Sequence, residues 1–210
     1  MSATPTTRKG LRTRQSIVEA GRGVFARDGF VSARMGDIAE AAGLSMGGLY
    51  RYFANKEDVF EAVIADVHEG LFQASVSTNH DFRTEPYEAL LEANRGYLQR
   101  YYEYRDVMRA FMEAAHVDKR FRDFWWSMRS RHVERFLGVM GKVSADGGES
   151  APDLRLAAEA VACMVEQSAY VWFAQDELYG ATVDVEDATR VVTQIWHGTF
   201  FPEKKATSPS

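Results

Sequence analysis

The amino-acid sequence reads as an all-α protein, with a small three-helix, helix-turn-helix domain in front and a larger helical domain behind it. Three observations predict this. Residues 37–53 place two short apolar-faced segments on either side of Gly43. Beyond them, apolar residues recur at helical spacing in every long segment, and no segment alternates with a period of two. Charge is also divided. Residues 1–60 hold nine lysines and arginines against six acids, a net of +3, whereas the remainder nets −8 in a chain of −5 overall. A positive front and an acidic body suit a protein that meets a polyanion with one end only.

The elements follow in order. Residues 1–10 are rich in Ser, Thr and Pro and are expected to be a disordered arm, basic through Arg8 and Lys9 and continued by Arg12 and Arg14. Residues 13–28 form the first helix, with Ile17, Val18, Gly21, Val24 and Phe25 on one face and Gly29 as its stop. Residues 32–42 form the second, with Ser32 as its expected cap. Gly43 then reverses the chain, because a glycine takes positive φ without steric cost. Ser45 offers a hydroxyl to the free N–H groups of a third helix, residues 45–53. Leu49 and Phe53 face its core, so Ser45, Met46, Gly48, Tyr50 and Tyr52 are expected outward. Asn55 caps a long fourth helix to about residue 76, with Glu57 and Asp58 in its first turn, where the helix dipole favours acids. Residues 77–86 are a polar break.

Two short helices at a glycine turn make a helix-turn-helix, whose second helix enters the major groove of DNA. The order of helix, short helix, glycine turn, recognition helix and long helix resembles the amino-terminal domain of the TetR family of bacterial transcriptional regulators. The matching residues are Gly29-Phe30, Asp37-Ile38-Ala39, Ala42-Gly43-Leu44-Ser45, Gly47, Leu49-Tyr50, Tyr52-Phe53 and Lys56. The resemblance implies that Tyr50 and Lys56 contact phosphate. Two positions depart from it. Ala33 stands where the family usually carries a threonine that caps and touches phosphate, which directs attention to Arg34. Met46 and Gly48 stand where polar or hydroxyl residues are common, so base reading shifts toward thymine methyls or DNA shape. The DNA-binding set is Arg34, Ser45, Met46, Gly47, Gly48, Tyr50, Tyr52 and Lys56. The motif lies at about residues 34–53, within a DNA-binding domain of residues 11–56.

Residues 57–80 read as a connecting helix with its polar break, residues 81–201 as a helical effector-binding and dimerisation domain, and residues 202–210 as a tail. Within the second domain, Pro86 opens a helix to about residue 104. Further helices cover residues 106–116, 118–140, 153–176 and 183–200, with a glycine-rich loop at 147–152. Tyr97, Tyr101, Met108, Phe111, Met112, Phe124, Trp125, Met128, Met164, Tyr170 and Trp196 could line a cavity, with Asn94 and Gln167 orienting a polar group. Ordinary core packing is the competing account for each. The resemblance extends to actinobacterial members with an elongated apolar cavity, which implies an apolar or aromatic effector. It also implies a homodimer through the last two helices, with Val161, Val165, Trp172, Val191 and Ile195 in the interface.

Enzymatic chemistry finds no support. The five histidines are dispersed, and neither a nucleophile elbow nor a phosphate-cradling glycine loop is present. No cofactor is expected. Glu166 reads as a surface acid. Cys163, alone, cannot build a disulfide framework and fits a reducing cytoplasm. No apolar run approaches the length that spans a membrane. The reading is a dimeric transcriptional regulator, a repressor released from double-stranded operator DNA by a small apolar ligand. The alternative is a ligand-binding protein of the same fold with lost operator specificity.

Overall fold

The computed structural model describes residues 7–144, 153–175 and 180–202. Among them every regular element is a helix: α1 (Arg8–Ser32), α2 (Met35–Ala41), α3 (Met46–Tyr50), α4 (Lys56–Ala74), α5 (Pro86–Glu103), α6 (Arg105–Val117), α7 (Lys119–Ser144), α8 (Leu154–Ala169), a π-helical turn (Tyr170–Ala174) and α9 (Val185–Phe200). The glycine-rich loop at 147–152, Asp176 and the tail beyond Pro202 lie outside the described residues. No described helix is long and apolar enough to cross a membrane.

The chain divides into two compact units. The first comprises residues 1–70 and 104–126, the second residues 71–103 and 127–210. Helices α4 and α7 therefore each contribute to both. The division differs from the sequence-based one, because α6 and the first turns of α7 belong with the helix-turn-helix. The reason is aromatic packing. Phe25, Phe30, Phe60, Phe111 and Phe121 form one buried cluster, with the Phe25 and Phe60 centroids 4.5 Å apart and Phe30 and Phe121 5.1 Å apart. Phe111 and Phe121 come from α6 and α7 and complete a core that the first four helices begin.

Helix α1 starts earlier than expected. The Thr7 hydroxyl accepts from the Gly10 N–H at 3.1 Å and caps it, so Arg8, Lys9, Arg12 and Arg14 ride on a helix and not on a loose arm. Near its other end Gly29 takes φ 73° and ψ 177°. The Glu113 carboxylate of α6 reaches that kink and accepts from the Phe30 N–H at 2.9 Å and the Val31 N–H at 3.3 Å. The positive φ favours glycine there, and a Cβ on Gly29 would lie 2.7 Å from Glu113 Oε2, so the carboxylate would have to shift.

In the second unit α9 packs along α5, and Asn94 donates to Thr193 Oγ1 at 3.1 Å between them. Gly96 of α5 lies against the C-terminal turn of α4, where a Cβ would fall 1.9 Å from the Ala74 carbonyl oxygen. Arg135 of α7 caps that same turn, donating to the carbonyls of Phe72 and Ser75 at 2.5 and 2.7 Å and to the Ser75 hydroxyl. Its guanidinium and that of Arg131 lie 4.0 and 3.6 Å from the Phe72 ring centroid.

Candidate nucleic-acid interface

The turn between α2 and α3 closes by two hydrogen bonds. The Gly43 N–H donates to Glu40 O at 3.0 Å and the Leu44 N–H to Ala39 O at 2.9 Å, with Gly43 at φ 66°. This is the Schellman arrangement, which satisfies the last carbonyls of α2 with a left-handed glycine just past its cap. Ala39 is buried beneath it, as the close crossing requires. The Ser45 hydroxyl then accepts from the Gly48 N–H at 3.2 Å and starts α3. Leu49 is fully buried and Phe53 nearly so, with Arg14 of α1 over the Phe53 ring at 4.9 Å.

That packing fixes what faces outward. Met46 and Tyr50 are exposed at 42% and 49%, Arg34 is exposed at the N-terminal cap of α2, and Gly47 borders open space. Tyr52 is half-buried. Two expectations are corrected. Gly48 is buried, since an added Cβ would press on Ser45 Oγ at 3.3 Å. Ser32 does not cap α2; it ends α1, and Arg34 occupies the cap position without a side-chain hydrogen bond. Lys56 has partners that the sequence reading did not name. Its ammonium donates to the carbonyls of Phe30 and Val31, both at 2.9 Å, and of Ala33 at 3.2 Å, and it sits 4.9 Å from the Phe30 ring centroid. Lys56 thus closes the junction between α1 and α2 from one side, while Glu113 holds the N–H groups of the same junction. No local signal marked either contact, because their partners lie 23 to 83 residues away. Asn55 behaves as expected, accepting from the Asp58 N–H at 2.8 Å.

The residues expected to line a cavity separate by unit. Met108, Phe111, Met112, Phe124 and Trp125 belong to the first, where Met108 and Phe111 are buried core and the Phe111 and Phe124 rings meet edge to face at 6.4 Å. The second unit holds Asn94, Tyr97, Tyr101, Met128, Met164, Gln167, Tyr170 and Trp196. Asn94 is engaged with Thr193, and Gln167 is exposed on α8. Trp196 packs edge-on against Phe136 and tilted against Phe200, and its indole N–H is buried without a hydrogen-bond partner.

Sequence reasoning missed a polar cluster in this unit. Glu166 is not a surface acid. Its carboxylate accepts from Arg129 Nε at 2.9 Å, and the two side chains are only 17% and 12% exposed. The same guanidinium lies 2.9 Å from Cys163 Sγ. Burial pushes the Tyr97 and Tyr101 phenols well above their ordinary value, and the Glu166 charge adds to the shift at both. A π-helical turn, a feature frequent at functional sites, follows α8 and brings Tyr170 into hydrogen bonding with Gln175 at 2.8 Å. The spacing of Arg129 and Glu166 within their own helices gave no sign that they would meet. Among the described residues, no group of three His, Cys, Asp or Glu could hold a metal ion.

Residues 17–63 match the family of bacterial regulatory proteins named tetR. The front of this chain is a TetR-family domain. Its match to the HTH-type transcriptional regulator YfiR of Bacillus subtilis is 40% identical over 65 residues, covering 30% of this chain and 32% of YfiR. Alignments of this kind span about a third of the relative's length. A longer alignment, 28% identical over 148 residues, covers 70% of this chain and 73% of the HTH-type transcriptional repressor AcnR of Corynebacterium efficiens. Among solved structures, a TetR-like transcriptional regulator from Rhodococcus superimposes with a TM-score of 0.64 at 25% identity, covering 89% of this chain and 94% of its own. The TetR relatives are transcriptional regulators and not enzymes, and the turned α2–α3 pair is the family's DNA-binding element.

Proposed function

We propose that this TetR-family regulator is a cytoplasmic homodimeric repressor, released from its operator by a small, largely apolar or aromatic ligand bound in the helical part behind the DNA-binding domain. The observation that carries the operator-binding part is the Gly43-turned pair of helices, with Leu49 inward and Met46, Tyr50 and Arg34 outward. Dimerisation is supported by α8 and α9, which leave Leu156, Val191 and Ile195 exposed at 66%, 48% and 38%. Val161 and Val165, expected in the interface, are instead buried within the protomer, and Trp172 is half-buried. A dimer also supplies two recognition helices, which read successive major grooves about 34–36 Å apart. Release of DNA needs a ligand with different affinity for the bound and released conformations. The name of AcnR supports repression, and the tyrosines around Arg129 and Glu166 support an effector with one polar group on an apolar or aromatic body.

Native mass spectrometry of the purified protein and binding to upstream duplexes test this together. The expected result is a dimer, broken by Val191→Glu with Ile195→Asp, that shifts one duplex in a salt-dependent way. A monomer at high concentration, or binding indifferent to salt and sequence, would refute it. A second reading has one observation in its favour. Helix α3 has two glycines and few hydrogen-bonding side chains, as expected of a ligand-binding protein that has lost operator preference.

A further inference from the structure

We infer that α3 reads its operator through the C5-methyl groups of thymine, with the Met46 thioether as the specificity-determining contact; this rests on the operator-binding reading above. The major groove offers hydrogen-bonding edges and one apolar group, the thymine methyl. Side chains suited to the edges are Arg or Lys for guanine, Asn or Gln for adenine, and Asp or Glu for cytosine. Helix α3, Met46–Tyr50, contains none of them. Of its five residues, Leu49 and Gly48 are buried and Gly47 has no side chain. The Ser45 hydroxyl before it is engaged as the helix cap.

Two side chains remain on the outward surface, and only Tyr50 carries a hydrogen-bonding group. Met46, 42% exposed, is unbranched and polarizable, which suits packing against a methyl group. Gly47 beside it borders open space and itself adds no side chain between the helix and the groove floor. Arg34 and Arg51 lie at the α2 cap and the α3 C-terminal cap, off the helix itself. Charges placed there position a protein on phosphates without reading sequence.

The test selects duplexes from a random library with the full-length protein at fixed salt. The selected duplex is then resynthesised with uracil replacing thymine one position at a time, which removes only the methyl. The wild type is expected to lose about fourfold in affinity at one or two positions of each half-site, and roughly fifteenfold when both half-sites are changed, the loss of one buried methyl-sized group at each. Met46→Ala should weaken binding to the thymine duplex by a similar factor and become indifferent to uracil there, whereas Met46→Leu should keep the sensitivity. A wild type indifferent to uracil everywhere on an enriched sequence overturns this inference alone, as does a Met46→Ala protein that stays sensitive. Selection that enriches no sequence overturns it together with the operator-binding reading.

Discussion

Lys56 separates two physical roles that a single substitution can tell apart. Replacing it with methionine keeps the apolar stem against Phe30 and removes the ammonium. Three carbonyls lose their donor: those of Phe30 and Ala33 in part-buried bonds and that of Val31 in an exposed one. A hydrogen bond to a charged group contributes roughly 1.5–3 kcal/mol, and exposed carbonyls recover much of that from water. Counting the two part-buried bonds at the low end and allowing for resolvation gives about 2 kcal/mol. For a chain of this size that is a fall in Tm of roughly 4–8 °C. Thermal unfolding followed by circular dichroism measures it, and amide hydrogen exchange should rise from Phe30 to Ile38, the junction Lys56 closes. A DNA phosphate contact predicts something else: unchanged stability, uniformly weaker binding and a salt slope smaller by about one. A Lys56→Met protein that melts with the wild type yet loses that slope would refute the structural account.

The remaining predictions are independent of it. Gly96→Ala places a methyl 1.9 Å from a backbone oxygen and should cost several kcal/mol or abolish folding, whereas Gly23→Ala, with open space around it inside α1, should stabilise by about 0.5–1 kcal/mol; urea titrations compare them. The Glu92 carboxylate is drawn from an ordinary value of 4.5 down to about 2, first by the Ser77 hydroxyl and then by the N–H groups of Asn79 and Thr78 and the Asn79 amide. A depressed carboxyl contributes stability above its unfolded value and loses it as pH falls, so Glu92→Gln should flatten the fall in Tm between pH 4.5 and 2; parallel profiles for the two proteins would refute this. Arg129→Met alone strands the Glu166 charge and should cost about 3 kcal/mol or more in urea unfolding, while Arg129→Met with Glu166→Leu should regain most of it.

Much of the amino-terminal unit is legible because its signals are local. Gly43, the Ser45 and Asn55 caps, and the burial of Leu49 and Phe53 each depend on residues within a turn or two, and each stands as read. What escaped is tertiary. Periodicity says which side of a helix is apolar but not which helix covers it, so the membership of α6 in the first unit was invisible. The contacts of Lys56 and Glu113 with a junction far away in sequence were hidden for the same reason. On α8, Val161 and Val165 look like interface residues, yet they are buried within the protomer, while Leu156 on the same helix stays exposed. Glu166 looked like solvent-facing acid until Arg129, 37 residues earlier, was seen beside it.

The division of the first unit into two stretches of chain has a consequence for modularity. A gene fragment ending at residue 70 would encode every helix that touches the turn and still fail as an autonomous reading head, because Phe30 and Phe60 would meet water where Phe111 and Phe121 now cover them. Recombination that grafts this head onto another domain must therefore carry α6 and the start of α7 along, or find a replacement of matching aromatic shape.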